Sequence, residues 1–468
     1  MNRPGIAALL SALWPGLGHA WLGARRRAVL ITLPMLGLVT AVAVLALINI
    51  RLLIDGFVQP GTLAAILIGL VVLAIYHLLA VRDAFRVGVK RGGQDAAGRT
   101  PILLLALALV VALYGSIEFV GLHAYEATTS IFVNPGTGYT IPSASFAPTA
   151  APSLEPGDTP SPIPAPTATP IPVPAWAADG RLNLLLIGSD AGPGRYSLRT
   201  DTMIVLSVDV ATHQAAMFGI PRNIINTPLA PEDQAATPNG RFPGFLNALY
   251  RYAMDRPNLF PGGDARGFRA VTGAIQELVG VPLDGAIVVD LNGFVDLVNA
   301  VGGLWIDIPH SLYDSRYPKP DGTGYIQVSI QAGCQKLNGA RALEYARSRH
   351  QDDDYGRMRR QESVLLALDR ELDPIALLPR VPDLLDIAKD NLWTTIQPND
   401  IADLAVLAAH VDSHDIRTIE LSPPTYPEFL STKEIKAIHA RVQTIFDQPA
   451  GVAPSSTPGV TPKPCPRS

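Results

Sequence analysis

The amino-acid sequence predicts a mixed α/β domain, a central sheet flanked by helices, preceded by an N-terminal block of transmembrane helices. Three observations predict it. Over 468 residues the composition is 48% hydrophobic with a mean hydropathy of +0.23, more apolar than a soluble chain of this length needs. The first quarter holds three apolar runs close to the ~20 residues that cross a bilayer. Beyond about residue 178, short apolar runs of strand length alternate with helix-period segments, as a sheet covered by helices requires.

The apolar runs lie at 28–50, 61–81 and 101–122. An earlier stretch, GIAALLSALWPGLGHAWLG at 5–23, is broken by Pro15, Gly16 and Gly18, and a hairpin, an interfacial segment and a fourth span are all open readings of it. Basic residues accumulate on the cytoplasmic side of a membrane. Arg25, Arg26 and Arg27 precede the first run, and Arg82, Arg86, Lys90, Arg91 and Arg99 lie between the second and third. Both clusters are cytoplasmic only if the third span runs outward, so the chain beyond about residue 123 is expected outside the membrane. Residues 1–133 are accordingly read as the membrane block. Residues 134–176, rich in Pro, Ser, Thr and Ala with few branched apolar side chains, read as an extracytoplasmic linker. Extended at ~3.1 Å per residue, such a segment reaches on the order of 100 Å. The folded domain is expected at 177–448, and a second Pro/Ser/Thr-rich segment, 449–468, reads as a disordered tail. Cys334 and Cys465 are compatible with a bond to each other, with intermolecular pairing or with two free thiols. No cysteine or histidine spacing fits a zinc site.

Within the folded domain, RLNLLLIGSD (181–190) and TMIVLSVDV (202–210) read as buried strands, and AAMFGIP (215–221) follows closely enough to form a hairpin with the second. GAIVVDL, GLWIDIP and IQVSI are further strand-like runs. Helical patterns occupy 267–280, 292–303, 338–349, 357–372, 400–411 and 431–446.

Asp190 ends the first strand and Asp201 opens the second, so the loop between them would bring two carboxylates to one end of the sheet. Magnesium binds through one or two carboxylates and completes its shell with water and phosphate oxygens. A turn residue at 190 and a strand-end cap at 201 are the alternative. Arg222 ends the third strand in GIPRN, where an arginine is ordinarily solvated. The stretch RSRHQDDDYGRMRRQ, 347–361, concentrates five arginines and three aspartates. Arg347 and Arg349 close one helix, and Arg357, Arg359 and Arg360 start the next, with 357 and 360 on one face. Cations at a helix start oppose its dipole, so an anion is expected among them. Asp352, Asp353 and Asp354 supply one candidate, an internal salt-bridge network. A phosphate or diphosphate supplies the other, because planar guanidinium forks match its oxygens. The formal net charge of -4 and the outward placement argue against nucleic acid as the partner.

Taken together these pieces resemble the LytR-CpsA-Psr family of extracytoplasmic phosphotransferases. The resemblance covers roughly residues 181–370, through NLLLIGSD, RTDTMIVLSVD, GIPRN, FLNALY, GGDARGFRAVTGAIQELVGVPLDGAIVVDLNGF, VNAVGGLWIDIP and LNGARALEYARSRHQDDDYGRMRRQ, in family order. It implies a membrane-anchored transferase that takes a glycopolymer from an undecaprenyl diphosphate carrier and joins it by a phosphodiester to a cell-envelope acceptor, commonly peptidoglycan. Carried over by position, Asp190 and Asp201 would hold magnesium, with manganese the alternative ion. Arg199, Arg222, Arg347, Arg349, Arg357 and Arg360 would surround the diphosphate. Asp354 matches the acidic residue that precedes the family's arginine, and with Asp190, Asp201, Arg222 and Arg357 it completes the implied catalytic group. Arg359 falls outside the pattern.

Two departures from the family matter. Ala191 and Gly192 follow Asp190 where the family has an arginine, leaving Arg195 as the nearest replacement, and Asn223 stands where the family has an acid. An asparagine accepts a hydrogen bond but cannot serve as a base. A polyprenyl carrier needs a dry groove, for which SVLLAL (363–368) and IADLAVLAAHV (401–411) are candidates, each equally readable as a core helix. Two other functions stay open: a polyprenyl diphosphate phosphatase, and a non-catalytic receptor or regulator that only binds the lipid-linked glycan.

Overall fold

The structure is a computed structural model that describes residues 3–92, 100–132, 179–189, 200–319, 323–349, 353–372, 374–411, 416–447 and 465. The linker at 134–176 and most of the tail at 449–468 lie outside the described residues. The chain divides into two units, Met1–Thr129 and Ser130–Ser468.

Three helices of the first unit, Arg25–Ile48, Pro60–Gly92 and Thr100–Ile131, are long and apolar enough to cross a membrane. Their outer faces carry Leu30, Leu33, Ile68, Val72, Leu104 and Leu105 exposed, as lipid-facing surfaces do. The broken stretch before them is a hairpin of two short helices, Arg3–Leu13 and Leu17–Trp21, turning at Pro15 and Gly16. At 11 and 5 residues, and ~1.5 Å per residue, neither spans the hydrocarbon. A Cβ at Gly18 would lie 1.9 Å from the Ala7 carbonyl oxygen, so only glycine lets the hairpin close. His77 ties the hairpin to the long helices through the Ser11 carbonyl oxygen at 2.9 Å and the Tyr114 hydroxyl at 3.3 Å.

The second unit is built on a six-stranded mixed sheet. In chain order the described strands are β1 (Arg181–Ser189), β2 (Thr200–Asp209), β3 (Ala215–Gly219), β4 (Thr227–Pro228), β5 (Arg241–Phe242), β6 (Gly285–Val289), β7 (Leu304–Ile308), β8 (Leu312–Pro318), β9 (Tyr325–Ile330), β10 (Gly333–Leu337), β11 (Leu392–Thr394) and β12 (Arg417–Glu420). The main sheet runs β11-β6-β1-β2-β3-β12, and β10-β7, β4-β5 and β8-β9 form separate pairs. β1, β2 and β3 are antiparallel neighbours, whereas β6 joins β1 and β12 joins β3 in parallel. The expected strand 303–309 therefore exists as β7, but it pairs with β10 outside the main sheet.

Strand alternation explains the layers. One face of the sheet, with Leu185, Ile187, Val205 and Phe218, is sealed by the helices Arg266–Val279 and Thr432–Gln443 through Ile275, Leu278, Ile438 and Val442. On the other face Leu182, Leu184 and Val208 pack against Leu407 of the helix Ile401–Ala408. That helix covers only the first half of β1. Farther along the same face, Leu186 and Gly188 of β1, Ile204 and Thr202 of β2, and Ile287 and Val289 of β6 floor a cavity instead. A second core under β7 to β10 joins Leu304, Ile306, Val328 and Tyr345 to Val364 of the helix Asp354–Glu371. The two cysteines are bonded to each other, Cα to Cα 5.6 Å, within the range a disulfide accommodates.

Candidate functional site

The cavity has a volume of about 210 Å³ and opens where β1 and β6 end. Its walls are apolar: Phe294 and Leu297 come from the helix Leu291–Ala300, Leu343 and Ala346 from the helix Gly339–Arg347, and Val364, Leu365 and Leu368 from the helix Asp354–Glu371. The lining also carries the charged side chains Asp201, Asp290, Arg347, Arg349 and Arg357, cations outnumbering carboxylates. A greasy chamber with a cationic rim can hold a molecule that is apolar at one end and anionic at the other.

Arg222, outside the lining itself, joins the lining residue Asp201 to a second carboxylate. Its NH1 donates to Asp201 Oδ1 at 2.8 Å, and its Nε and NH2 donate to Asp354 Oδ2 and Oδ1 at 3.1 and 3.2 Å. The fork on Asp354 is bidentate, the strong geometry for a guanidinium and a carboxylate. Arg357 reaches the same cluster, with NH1 3.2 Å from Asp354 Oδ1 and NH2 donating to the Asp201 carbonyl oxygen at 3.3 Å. Asp353 caps the helix by accepting from the Gly356 amide at 2.8 Å, and with Asp354 in the first turn it offsets the cations there. Part of the sequence's internal salt-bridge reading is therefore realised, through Asp354.

The electrostatics leave the rim short of negative charge. Burial alone would raise the Asp201 carboxyl, but the Arg222 guanidinium beside it, helped by Arg357 and Asn247, holds it below its usual range. Burial presses the Arg357 guanidinium down to about 10, with Arg222 working in the same direction and Asp354 and Asp201 against it. Arg357 is 2% exposed, and its Nε is enclosed with no hydrogen-bond partner among the described residues. A buried guanidinium with an unused donor is a position that an anionic oxygen satisfies.

The remaining expected residues divide. Arg347 lines the cavity with its guanidinium 6.0 Å from the Tyr317 ring. Arg349 also lines it and is exposed, its backbone amide fixed on Asp314 Oδ2 at 3.1 Å. The contacts Arg360 makes with the described residues lie elsewhere. It is buried, donates from Nε to the Tyr345 carbonyl oxygen at 2.8 Å and from NH2 to that of Ser348, and so secures the last carbonyls of the preceding helix. Arg359 is exposed, 3.4 Å from Glu420. Asp190, Arg199, Arg195 and Asp352 lie outside the described residues, as do Ala191 and Gly192.

The residues present fit a divalent ion held through Asp201. Its Oδ1 takes Arg222 and, at 3.4 Å, the Asn247 amide, while Oδ2 accepts no hydrogen bond from the described residues. No group of three or more His, Cys, Asp or Glu side chains that could hold a metal exists among the described residues. Magnesium held by one or two carboxylates and completed by phosphate oxygens needs no such group.

Sequence reasoning missed Asn247, although it sits inside FLNALY, and it missed Glu428. The Asn223 amide donates to Glu428 Oε1 at 2.6 Å across 205 residues, and the Tyr355 hydroxyl donates to the same oxygen at 2.9 Å. Of the two apolar candidates for a lipid groove, SVLLAL lines the cavity, whereas IADLAVLAAHV packs on the sheet as core.

Comparison with known proteins gives a protein-family match, to the LytR_cpsA_psr family, over residues 160–440. Among curated relatives, an uncharacterized protein of Staphylococcus aureus is 27% identical over 247 residues, 51% of this chain and 54% of that protein. The polyisoprenyl-teichoic acid–peptidoglycan teichoic acid transferase TagV of Bacillus subtilis is 27% identical over 226 residues, 48% of this chain and 52% of that protein. The chain thus spans about half the length of the curated relatives it matches. Among solved structures, protein gbs0355 from Streptococcus agalactiae aligns at 22% identity and TM-score 0.45, covering 60% of this chain and 93% of that one. Bacillus subtilis TagV aligns at 24% identity and TM-score 0.42, covering 57% and 98%.

Proposed function

Since the chain belongs to the LytR-CpsA-Psr family, we propose that it is a membrane-anchored, extracytoplasmic phosphotransferase that moves a glycopolymer from an undecaprenyl diphosphate carrier to a cell-envelope acceptor such as peptidoglycan. The observation that carries this reading is a cavity that combines apolar walls with guanidinium groups. The name of the relative TagV, a polyisoprenyl-teichoic acid–peptidoglycan transferase, supports the same donor and acceptor classes.

Phosphoryl transfer asks a protein mainly to position reactants and to offset the charge that moves onto the leaving group. The walls formed by Phe294, Leu297, Leu365 and Leu368 would take the first units of the polyprenyl chain and keep water out. Arg347, Arg349 and Arg357 would bind the diphosphate, and Arg222, fixed by Asp354, would hold Asp201 in place. Asp201, with Asp190, would hold magnesium or manganese, which when bound supplies further positive charge to the phosphate oxygens. The leaving group is polyprenyl monophosphate. Its accumulated charge is met by the buried, under-compensated Arg357.

The test uses the full-length protein in detergent with a polyprenyl diphosphate-linked glycan. Release of polyprenyl monophosphate should depend on added peptidoglycan strands and should stop in EDTA. Release indifferent to the acceptor marks a phosphatase, and tight binding without release marks a receptor.

A further inference from the structure

The acceptor of such a transfer is a polymer, too large for a chamber of about 210 Å³, so its hydroxyl has to arrive at the rim from outside. Something there must take the proton the hydroxyl loses. The carboxylates of the rim are committed elsewhere. Both oxygens of Asp354 are held by guanidinium groups, Asp201 is held by Arg222 through Oδ1 and would give its Oδ2 to the ion, and Asp290, whose carboxyl burial raises, spends Oδ1 capping a helix by accepting from the Gly293 amide at 2.7 Å. A carboxylate whose oxygens carry guanidinium hydrogen bonds has to give them up to take a proton.

Glu428 is different. It is exposed, and no arginine or lysine pairs with it among the described residues; its Oε1 accepts only from the neutral Asn223 amide and Tyr355 hydroxyl. Its place is fixed from two directions. Asn223 directly follows Arg222, Tyr355 directly follows Asp354, and Arg222 and Asp354 are bonded to each other, so the two side chains that hold Glu428 each stand next in the chain to a member of the central ion pair. The backbone holds it there as well. The Ile225 amide donates to the Glu428 carbonyl oxygen at 2.8 Å, and the Leu430 amide donates to that of Ile225 at 3.1 Å.

We propose that Glu428 accepts the proton of the acceptor hydroxyl, with Asn223 and Tyr355 as its positioning residues; this rests on the transferase reading above. In the step, the acceptor oxygen bonds to the phosphorus that carries the glycan. The bond from that phosphorus to the bridging oxygen breaks, and its electron pair leaves with polyprenyl monophosphate. The hydroxyl proton passes to Glu428 Oε2.

The experiment measures kcat and KM for full-length protein in detergent, with undecaprenyl diphosphate N-acetylglucosamine as donor and uncross-linked peptidoglycan strands as acceptor. Glu428→Gln should lower kcat about 100-fold, the usual scale of general-base catalysis, with the donor KM unchanged. Asn223→Asp, added to Glu428→Gln, places a carboxylate beside the lost one and should restore a large part of the rate. A wild-type kcat in Glu428→Gln, or no rescue at all by Asn223→Asp, would overturn the proposal. Should the wild type pass the phosphoryl group to water alone, the transferase reading fails separately. Glu428→Gln must then slow that hydrolysis, and an unchanged hydrolysis rate would overturn the proton-acceptor role by itself.

Discussion

Arg357 and Arg359 sit two residues apart on one helix and face opposite fates, which makes them the sharpest test at the residue scale. Arg357 is buried against Asp354 and the Asp201 backbone with a donor to spare, whereas Arg359 is exposed beside Glu420. Arg357→Lys keeps the charge and loses the fork, so turnover of a lipid-diphosphate glycan should fall by roughly 30- to 1000-fold, or ~2–4 kcal/mol. Arg359→Lys should leave it unchanged, and near-equal rates for the two variants would sink the diphosphate assignment. A second residue carries a pH signature. Burial raises the Asp284 carboxyl to about 7, with Asp179 and Asp400 adding to it, despite the Asn183 amide it accepts at 2.7 Å. Its protonated form is the one folding favours, so its contribution is complete below the ordinary carboxylate value of 3.8 and is lost as pH rises through about 7. Asp284→Asn should therefore gain melting temperature on the wild type as pH rises, with the difference levelling off above that value. Asp201, Arg222, Asp354 and Arg357 could be picked out in the sequence because each sits in a short motif at an element's end. For Arg360, helical spacing gives the face it shares with Arg357 and says nothing of the carbonyls that end the neighbouring helix, to which it donates. Glu428 left no trace, since its partners Asn223 and Tyr355 are 205 and 73 residues away and its own segment, SPPTYPEFL, has no periodicity.

Among the elements, the cavity follows from a mismatch of lengths. β1 has 9 residues, and the helix Ile401–Ala408 shelters only Leu182 and Leu184 on that face, leaving Leu186 and Gly188 to floor the chamber. SVLLAL and IADLAVLAAHV are both predominantly apolar in sequence, and the surface opposite each decides between lining and core. Their variants should separate cleanly. Leu365→Trp, filling the chamber, should weaken donor binding with little change in melting temperature. Leu407→Ala should cost about 2–5 kcal/mol of stability, read by denaturant titration, and leave donor affinity intact. The long strands β1 and β2 were legible because both faces are buried and the apolar run is nearly continuous. β8, β10 and β11 were not: LYDSRYP and GCQKL are too polar and LWT too short to announce a strand, and they form by pairing with neighbours the sequence does not place beside them.

For the whole molecule, three helices long and apolar enough to cross a membrane, followed by the expected linker and the folded domain, make an accessibility prediction. Protease added outside right-side-out vesicles should cut within 134–176 and release a soluble fragment from about residue 177 onward. A fragment protected until the vesicle is opened would reverse the proposed topology. The bond between Cys334 and Cys465 adds a different property to that fragment. It turns residues 334 to 465 into a covalent ring, and the arginine stretch, the cavity helix Asp354–Glu371 and Glu428 all lie inside it. A second cut anywhere within the ring would open the backbone without shedding a piece: on a gel run without reductant the fragment would keep its mass, and only reductant would split it in two.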